Sequence, residues 1–444
     1  MTRRLQKAPS PATAAFREGA PSLGCIADDI TGGIDLSGTL TQRGFRVIQT
    51  IGVPTSGLVL KGADAVVIAL KVRNIPAPRA RVMSSRALDR LKALGCRRFY
   101  FKYCSTFDST PAGNIGPIID KLLDGLREPF TVASTAFPAG GRTVYHGHLF
   151  VGNTLLSESG MRNHPITPMT DSNLVRVLQR QTRSRVGLIP LEAVENGAGD
   201  IRASIRRLTK AGVRIAIVDA VTDKHLVSIA SAVSDLTLIA GSSGLARGFA
   251  PGRRPRGNPG FGAVPRGFRA IIAGSCSEAT MRQLAHARLA YPAMRLKPQA
   301  LQRNPTLAVR TLLSWAKSKV AHDRPIVIYS GGEPSLVARE QAGIGALRSG
   351  RLVETALGRV ADGLVKLGVR QLIVAGGETS GSVMKALQVA ALRIGPQICP
   401  GVNWATTMGN KTPIAVALKS GNFGDTEFMT EAWSLLDENG KRGT

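Results

Sequence analysis

Short apolar runs separated by stretches of helical periodicity set the pattern of this chain. The first run, at 23–27, ends in the turn Asp28-Asp29-Ile-Thr-Gly-Gly33, and apolar residues at helical spacing follow over 34–42. Further runs of strand length lie at 46–51, 65–70, 98–104, 131–137, 186–190, 214–219 and 236–240. Helical patterns fall between most of them, near 79–95, 113–127, 173–182, 199–211 and 224–233. Strands alternating with helices predict a mostly parallel sheet covered on both faces. Residues 249–268 break the rhythm: proline, glycine and arginine dominate and no period survives. That stretch reads as a linker, with a domain boundary near 260. The alternation then restarts, with strands expected at 269–273, 293–296, 325–329 and 371–375 and helices at 279–290, 306–320, 335–347, 352–367 and 382–389. The expected fold is therefore α/β with two domains, 23–248 and 269–444, each a mostly parallel sheet flanked by helices.

Composition narrows the class. A chain of 444 residues suits two or three domains, and 43% hydrophobic residues supply cores for them. Aromatics are only 5% while glycines number 49, which favours an α/β enzyme with many tight turns. Lysines and arginines outnumber acids by 58 to 30, a net charge of +28 that raises nucleic acid as a partner. The basic residues are spread, however, and the aromatics are too sparse for base stacking. Most of the excess reads as solvated surface, and no nucleic acid partner is expected. No apolar run approaches the roughly 18 residues of a membrane span, so no membrane partner is expected either. Residues 1–22 carry Arg3, Arg4, Lys7 and Arg17 without an apolar core, and read as a disordered basic tail rather than a secretory signal. Cysteines at 25, 96, 104, 276 and 399 form no C-x-x-C pair. They argue against a disulfide framework or zinc site and for reduced thiols in a cytoplasmic protein.

Candidate chemistry gathers at the ends of the expected strands, the edge where open parallel sheets bind ligands. Run 371–375 leads into Ala375-Gly-Gly-Glu-Thr-Ser-Gly381 and then a helix. Glycines there allow close backbone approach, and a helix N-terminus offers unpaired N–H groups to an anion. Gly376, Gly377, Glu378 and Thr379 are thus candidate phosphate-binding residues, against the bland alternative of an ordinary turn. Ala273-Gly-Ser-Cys-Ser-Glu-Ala-Thr280 repeats the arrangement, with Ser275 and Ser277 as candidate nucleotide contacts. Lys419-Ser-Gly-Asn-Phe-Gly424 supplies a third glycine turn, centred on Gly421, and Ser330-Gly-Gly-Glu-Pro-Ser335 echoes the first. No G-x-x-x-x-G-K-[ST] occurs, and no G-x-G-x-x-G follows a strand, which weakens a nicotinamide-dependent dehydrogenase.

In the first half, Asp28 and Asp29 can bind a polyol, orient a hydroxyl, or hold a metal with its waters. One of them can instead cap the next helix, and one of each is expected. Downstream, Lys102 could pair with a substrate carboxylate or phosphate, Asp108, Ser109 and Asn114 could bind hydroxyls, and Gly113 would let the backbone come close. Arg142 is a candidate fork for a carboxylate. His146 and His148 are spaced as on one strand face, but no third ligand appears and no metal site is expected. Cys276 has no identifiable base beside it.

Ile26-Ala-Asp-Asp-Ile-Thr-Gly32, Lys102-Tyr-Cys-Ser-Thr-Phe-Asp-Ser-Thr110, Gly113-Asn-Ile-Gly-Pro117, Gly141-Arg-Thr-Val-Tyr145, Gly274-Ser-Cys-Ser277, Gly376-Gly-Glu-Thr379 and Lys419-Ser-Gly-Asn-Phe-Gly424 run in order along the chain. In these motifs the sequence resembles the four-carbon acid sugar kinase family. The resemblance implies an N-terminal domain for the acid sugar, a C-terminal domain for ATP, and phosphorylation of a terminal hydroxyl, C4 of 3-oxo-tetronate. Threonate or erythronate is the alternative acceptor, and a nucleic-acid-binding protein the distant one. It places Asp28, Asp29, Lys102, Asp108, Ser109 and Arg142 on the sugar side, and Ser275, Gly376 to Thr379 and Gly421 on the nucleotide side. Mg2+ would be held largely by ATP oxygens and water, and Asp28 or Asp29 would orient or deprotonate the acceptor. Gly33 and Ile34 stand where the family usually has Ala and Thr, and Ala112 where relatives are often basic. Acceptor stereochemistry and a homo-oligomer stay open.

Overall fold

Valine, isoleucine and alanine fill the runs that become strands, and most of these side chains are buried, as in sheets covered on both faces. The computed structural model describes residues 21–437, apart from 56, 59, 61, 165, 252–263, 322–323 and 333–344. Residues 1–20 of the tail expected over 1–22, the middle of the expected linker, most of the helix expected at 335–347 and the end of the Ser330–Ser335 echo lie outside the described residues.

The first half holds β1 (Leu23–Ala27), β2 (Val47–Ile51), β3 (Ala65–Ala69), β4 (Arg98–Lys102), β5 (Thr131–Ser134), β6 (Arg142–Tyr145), β7 (His148–Val151), β8 (Thr154–Leu155), β9 (Arg185–Ile189), β10 (Val213–Val218) and β11 (Leu238–Gly241). The second half holds β12 (Phe268–Ala273), β13 (Ala293–Arg295), β14 (Ile326–Tyr329), β15 (Val369–Ala375), β16 (Ala391–Cys399), β17 (Val402–Met408) and β18 (Ala415–Lys419). Strands β6, β7 and β8 form a small antiparallel sheet. All the others join in one 15-stranded sheet, ordered β13-β14-β12-β15-β18-β17-β16-β2-β3-β1-β4-β11-β5-β10-β9. The two parallel sheets expected from the sequence are thus fused edge to edge. The seam is an antiparallel pairing of β16 with β2, Ala391 opposite Thr50 and Arg393 opposite Ile48.

Strands β16 and β17 were not expected. Gly395, Pro396 and Gly401 interrupt an otherwise apolar stretch, and the ladder between them shifts register after Ile394 and again after Gln397. These two strands reverse direction between the halves, yet six strand pairings separate β1 from β15. A twist of roughly 20–25° per pairing accumulates over that distance and turns the C-terminal edges of the two halves toward a common side.

The Ile30–Gln42 helix lies beneath that seam, buried along Thr31 and from Gly33 to Leu40. Gly38 allows it to close on the second half: a Cβ there would stand 2.0 Å from Asn403 Oδ1. Elsewhere the expected elements recur with shifted ends; the helix expected at 352–367 begins earlier, as Ala346–Lys366. Among the described residues no helix is long and apolar enough to cross a membrane.

Candidate active site

Asp28 directly follows β1, and its backbone N–H donates to the Lys102 carbonyl at 3.0 Å. Asp29 is the N-cap of the Ile30–Gln42 helix, accepting from Gly32 N at 2.8 Å and Thr31 Oγ1 at 2.9 Å. The group that organises both is Arg73. It donates from Nε to Asp28 Oδ2 at 2.8 Å and from Nη2 to Asp28 Oδ1 at 2.9 Å. Nη2 also lies 3.0 Å from Asp29 Oδ1, and Nη1 donates to Asp108 Oδ2 at 3.3 Å. Three expected carboxylates therefore converge on one guanidinium. Burial pushes the Asp28 carboxyl up, and Asp29 beside it adds to the rise; the charge and hydrogen bonds of Arg73 offset only part of it. Asp29 is also desolvated, but Arg73, Lys102 and the bonds from Thr31 and Gly32 hold it below the ordinary value.

Sequence reasoning missed Arg73, which sits in the unpatterned segment after β3; the one signal was its place at a strand end beside that of β1. Asn114 supports this segment. Its Nδ2 donates to the carbonyls of Val72 at 2.7 Å, Arg73 at 3.2 Å and Ile75 at 2.7 Å, so its amide positions Arg73. Asp108 takes Thr106 Oγ1 at 2.9 Å on its other oxygen. It and Phe107 have φ of 42° and 65°, two successive non-glycine residues in the left-handed region. Strain of that kind collects at functional sites. Ser109 is buried, its hydroxyl accepting from Gln181 Nε2 at 2.8 Å. Gly113 makes room for this contact: a Cβ there would meet Ser109 Oγ at 1.9 Å. Lys102 is buried, donating to Tyr103 O at 3.0 Å with Asp35 Oδ2 3.6 Å away. Arg142 turns Nη1 back onto the Gly140 carbonyl, and its buried Nε finds no partner among the described residues. No contact ties it to the Arg73 cluster among the described residues. His146 lies in the turn after β6 with φ of 47°, so it shares no strand face with His148. Among the described residues no group of three or more His, Cys, Asp or Glu could hold a metal ion.

The three glycine turns of the second half come together because their strands are neighbours in register: Ala273 pairs with Ala375, and Ala375 with Lys419. Gly376 N donates to Lys419 O at 2.9 Å and Gly274 N to Ala375 O at 3.0 Å. Ser277 caps the Glu278–Ala290 helix and donates its hydroxyl to Gly421 O at 2.6 Å. Gly376 has φ of 123° and precedes the Gly377–Ala386 helix, and a Cβ on Gly421 would stand 2.5 Å from Ser275 Oγ. The Gly274 and Gly376 turns wall a cleft of about 300 Å³ lined by Ser275, Gly376, Gly377, Glu378, Thr379 and Glu354, and the Gly421 turn packs behind Ser275. Burial and the neighbouring Glu378 push the Glu354 carboxyl up, opposed by Lys71 and Arg351. Lys419, not singled out from sequence, is fully buried and donates to Gly421 O at 3.0 Å, Ser420 O at 3.1 Å and Thr280 Oγ1 at 3.2 Å. Burial brings its pKa down to about 8, against the opposing pull of Cys399.

The two sides meet. A Cβ on Gly377 would stand 3.7 Å from Thr31 Oγ1, and one on Gly381 3.6 Å from Ile30 Cδ1. The N-termini of the two helices therefore abut, and Lys71 forms an ion pair with Glu378 across the gap. A carboxylate cluster thus stands beside a glycine-walled cleft across the join of two α/β halves, an arrangement suited to a protein that brings a polar metabolite to a phosphorylated ligand. The profile described as "Sugar-binding N-terminal domain" matches residues 23–249, and that described as "Nucleotide-binding C-terminal domain" matches 270–429. The chain belongs to the four-carbon acid sugar kinase family, in which these two domains are joined. It is 48% identical to the 3-oxo-tetronate kinase of Burkholderia multivorans over 423 residues, 94% of this chain and 98% of that one. It is 49% identical to the enzyme of the same name from Cupriavidus necator over 425 residues, 94% and 97% of the two chains. Among solved structures, a Salmonella typhimurium protein described as a putative tRNA synthase superposes with a TM-score of 0.83 at 40% identity, covering 91% of this chain and 97% of that one. A Haemophilus influenzae protein follows at TM-score 0.77 and 39% identity, covering 93% and 100%.

Proposed function

We propose that this protein transfers the γ-phosphoryl group of ATP to the C4 hydroxyl of 3-oxo-tetronate, giving 3-oxo-tetronate 4-phosphate in four-carbon acid sugar catabolism. One observation carries the reading beyond the names of the relatives: the cleft at Gly376–Thr379 opens beside the helix that Asp29 caps, so a phosphoryl group and an acceptor hydroxyl can meet between them. In this reading residues 23–248 bind the acid and 269–444 bind ATP.

Phosphoryl transfer depends on positioning and charge neutralisation more than on covalent help. Gly376 lines the cleft and Gly421 lets its turn close on Ser275 and Ser277 behind it, while the Gly377–Ala386 helix turns its N–H groups to the polyphosphate. Asp28 is the carboxylate that takes the acceptor proton, because burial makes it more basic than Asp29. Arg73 holds Asp28, Asp29 and Asp108 in place, and Lys102 lies behind them. Glu354 and Glu378, two carboxylates on the cleft wall, fit a Mg2+ bound mainly through phosphate oxygens and water. Such an ion would neutralise charge on the polyphosphate. None of the five cysteines is in a disulfide, which supports a cytoplasmic setting.

Threonate and erythronate are the competing acceptors, since they differ from the oxo acid at one carbon. ADP release measured over a panel of 3-oxo-tetronate, threonate and erythronate decides among them. Turnover fastest with the oxo acid supports the proposal, and no acid-dependent turnover with any of them rejects it.

A further inference from the structure

Lys71 follows β3 after a single residue, and both its neighbours are tied to the acid side. Leu70 N donates to Ala27 O at 2.9 Å, and Val72 N to Asp28 O at 3.0 Å. Its side chain leaves that side and ends on Glu378, in the first turn of the helix that borders the nucleotide cleft. The same ammonium acts on Glu354, the other carboxylate of the cleft wall. Among the described residues this is the ion pair that spans the two halves. The side chains of Lys71 and Glu378 are 67% and 53% exposed, and a pair so exposed contributes little to stability. Its interest lies in where the charge can go.

The other cations beside Asp28 are committed. Arg73 is shared among three carboxylates, and Lys102 is buried beneath them. Lys419, the cation of the third glycine turn, is buried as well. A phosphoryl group in transit carries charge on three equatorial oxygens and needs a cation that can reach it. We propose that Lys71 is a catalytic residue for the transfer, its ammonium leaving Glu378 for the γ-phosphoryl oxygens when nucleotide and acid are both bound. The proposal rests on the kinase reading above. In the step, the acceptor hydroxyl oxygen forms its bond to the γ-phosphorus as the bond from that phosphorus to the β–γ bridging oxygen breaks. ADP departs with the electron pair, the hydroxyl proton passes to Asp28, and Lys71 keeps its own proton throughout.

The test compares wild type, Lys71→Met and Lys71→Arg in three measurements: kcat with ATP and 3-oxo-tetronate, ADP affinity by calorimetry, and Tm. Lys71→Met is expected to lower kcat by about 10²–10³-fold, the usual loss on removing one group that stabilises transition-state charge. ADP affinity should stay within about threefold and Tm should not move, while Lys71→Arg recovers part of the lost kcat. A further readout needs no turnover: ADP with aluminium fluoride and the acid should raise the Tm of wild type above ADP alone, and this extra rise should vanish in Lys71→Met. A wild type that turns over beside a Lys71→Met of equal kcat, or one that keeps the extra rise, overturns the role of Lys71 and leaves the kinase reading standing. A wild type without acid-dependent ADP release overturns both.

Discussion

Arg73 grips Asp28 with two arms of its fork, Nε on one carboxylate oxygen at 2.8 Å and Nη2 on the other at 2.9 Å. The same guanidinium reaches Asp29 and Asp108, so it fixes the relative position of three carboxylates from two strand ends. Removing it leaves them crowded and unpaired. Arg73→Met is expected to destabilise the fold by about 3–5 kcal/mol at neutral pH, the cost of stripping one partner from a buried charge pair. The deficit should shrink toward acid pH, where the carboxylates take up protons and the unpaired charge disappears. Urea midpoints of wild type and variant across that range check this; a deficit that ignores pH would contradict it.

Asp28 and Asp29 are adjacent in sequence but differ in environment, the first pushed up by burial and the second held down by Arg73, Lys102 and its capping bonds. Asp28→Asn is expected to lower kcat by about 10²–10⁴-fold, the range for a lost general base, with ADP affinity unchanged. Asp29→Asn keeps a capping side chain and should lose less. In wild type, the acid limb of the kcat/KM profile, which reports the free enzyme, should fall above the ordinary carboxylate value of 3.8. Near-normal turnover of Asp28→Asn would remove Asp28 from the mechanism.

The strand-and-turn grammar of both halves was legible because most of the parallel strands are apolar runs, and several, among them β1, β12 and β15, lead into a glycine or a capping residue. The three glycine turns could be named from sequence, yet their convergence depends on β12, β15 and β18 being neighbours, which no local signal encodes. Strands β16 and β17 escaped notice because Gly395, Pro396 and Gly401 hide their periodicity. On the acid side, the carboxylates stood out by type and place, whereas Arg73 and Lys71 lie in a segment without motif. Asn114 and Gly113 were read as ligand contacts from their company; the structure adds protein contacts that the sequence did not show, Asn114 Nδ2 on three carbonyls and the missing Cβ of Gly113 against Ser109, while Asn114 Oδ1 has no partner among the described residues.

Gly421 has Ser275 Oγ and Ser277 Oγ at 2.5 Å and 2.7 Å from where a Cβ would stand. Gly421→Ala must push the two serines or its own turn aside, and the turn is also where Ser277, Thr280 and Lys419 converge on one carbonyl. ADP affinity is expected to fall about tenfold or more, a loss of at least 1.4 kcal/mol. Calorimetry with ADP reads this directly, and unchanged affinity would place the polyphosphate elsewhere.

Lys419 has a pKa lowered from 10.5 to about 8 by burial, so the native state gives up this proton at lower pH than the unfolded chain. The unfolded chain binds more protons between those values, and stability should rise with pH through that window by on the order of 3 kcal/mol at most. Below the window the penalty of burying a charged amine is fully present. Lys419→Met should flatten this rise in urea titrations, and a variant with the same pH slope as wild type would contradict the assignment.

The central claim is that the glycine-walled cleft and the Arg73 cluster act on one phosphoryl group. Phosphorus NMR of a reaction containing the protein, ATP, Mg2+ and 3-oxo-tetronate tests it most directly. The account predicts ADP and a phosphate ester on C4 appearing in equal amounts, with Asp28→Asn forming neither at a comparable rate. ADP appearing with inorganic phosphate alone, or no acid-dependent loss of ATP, would contradict it.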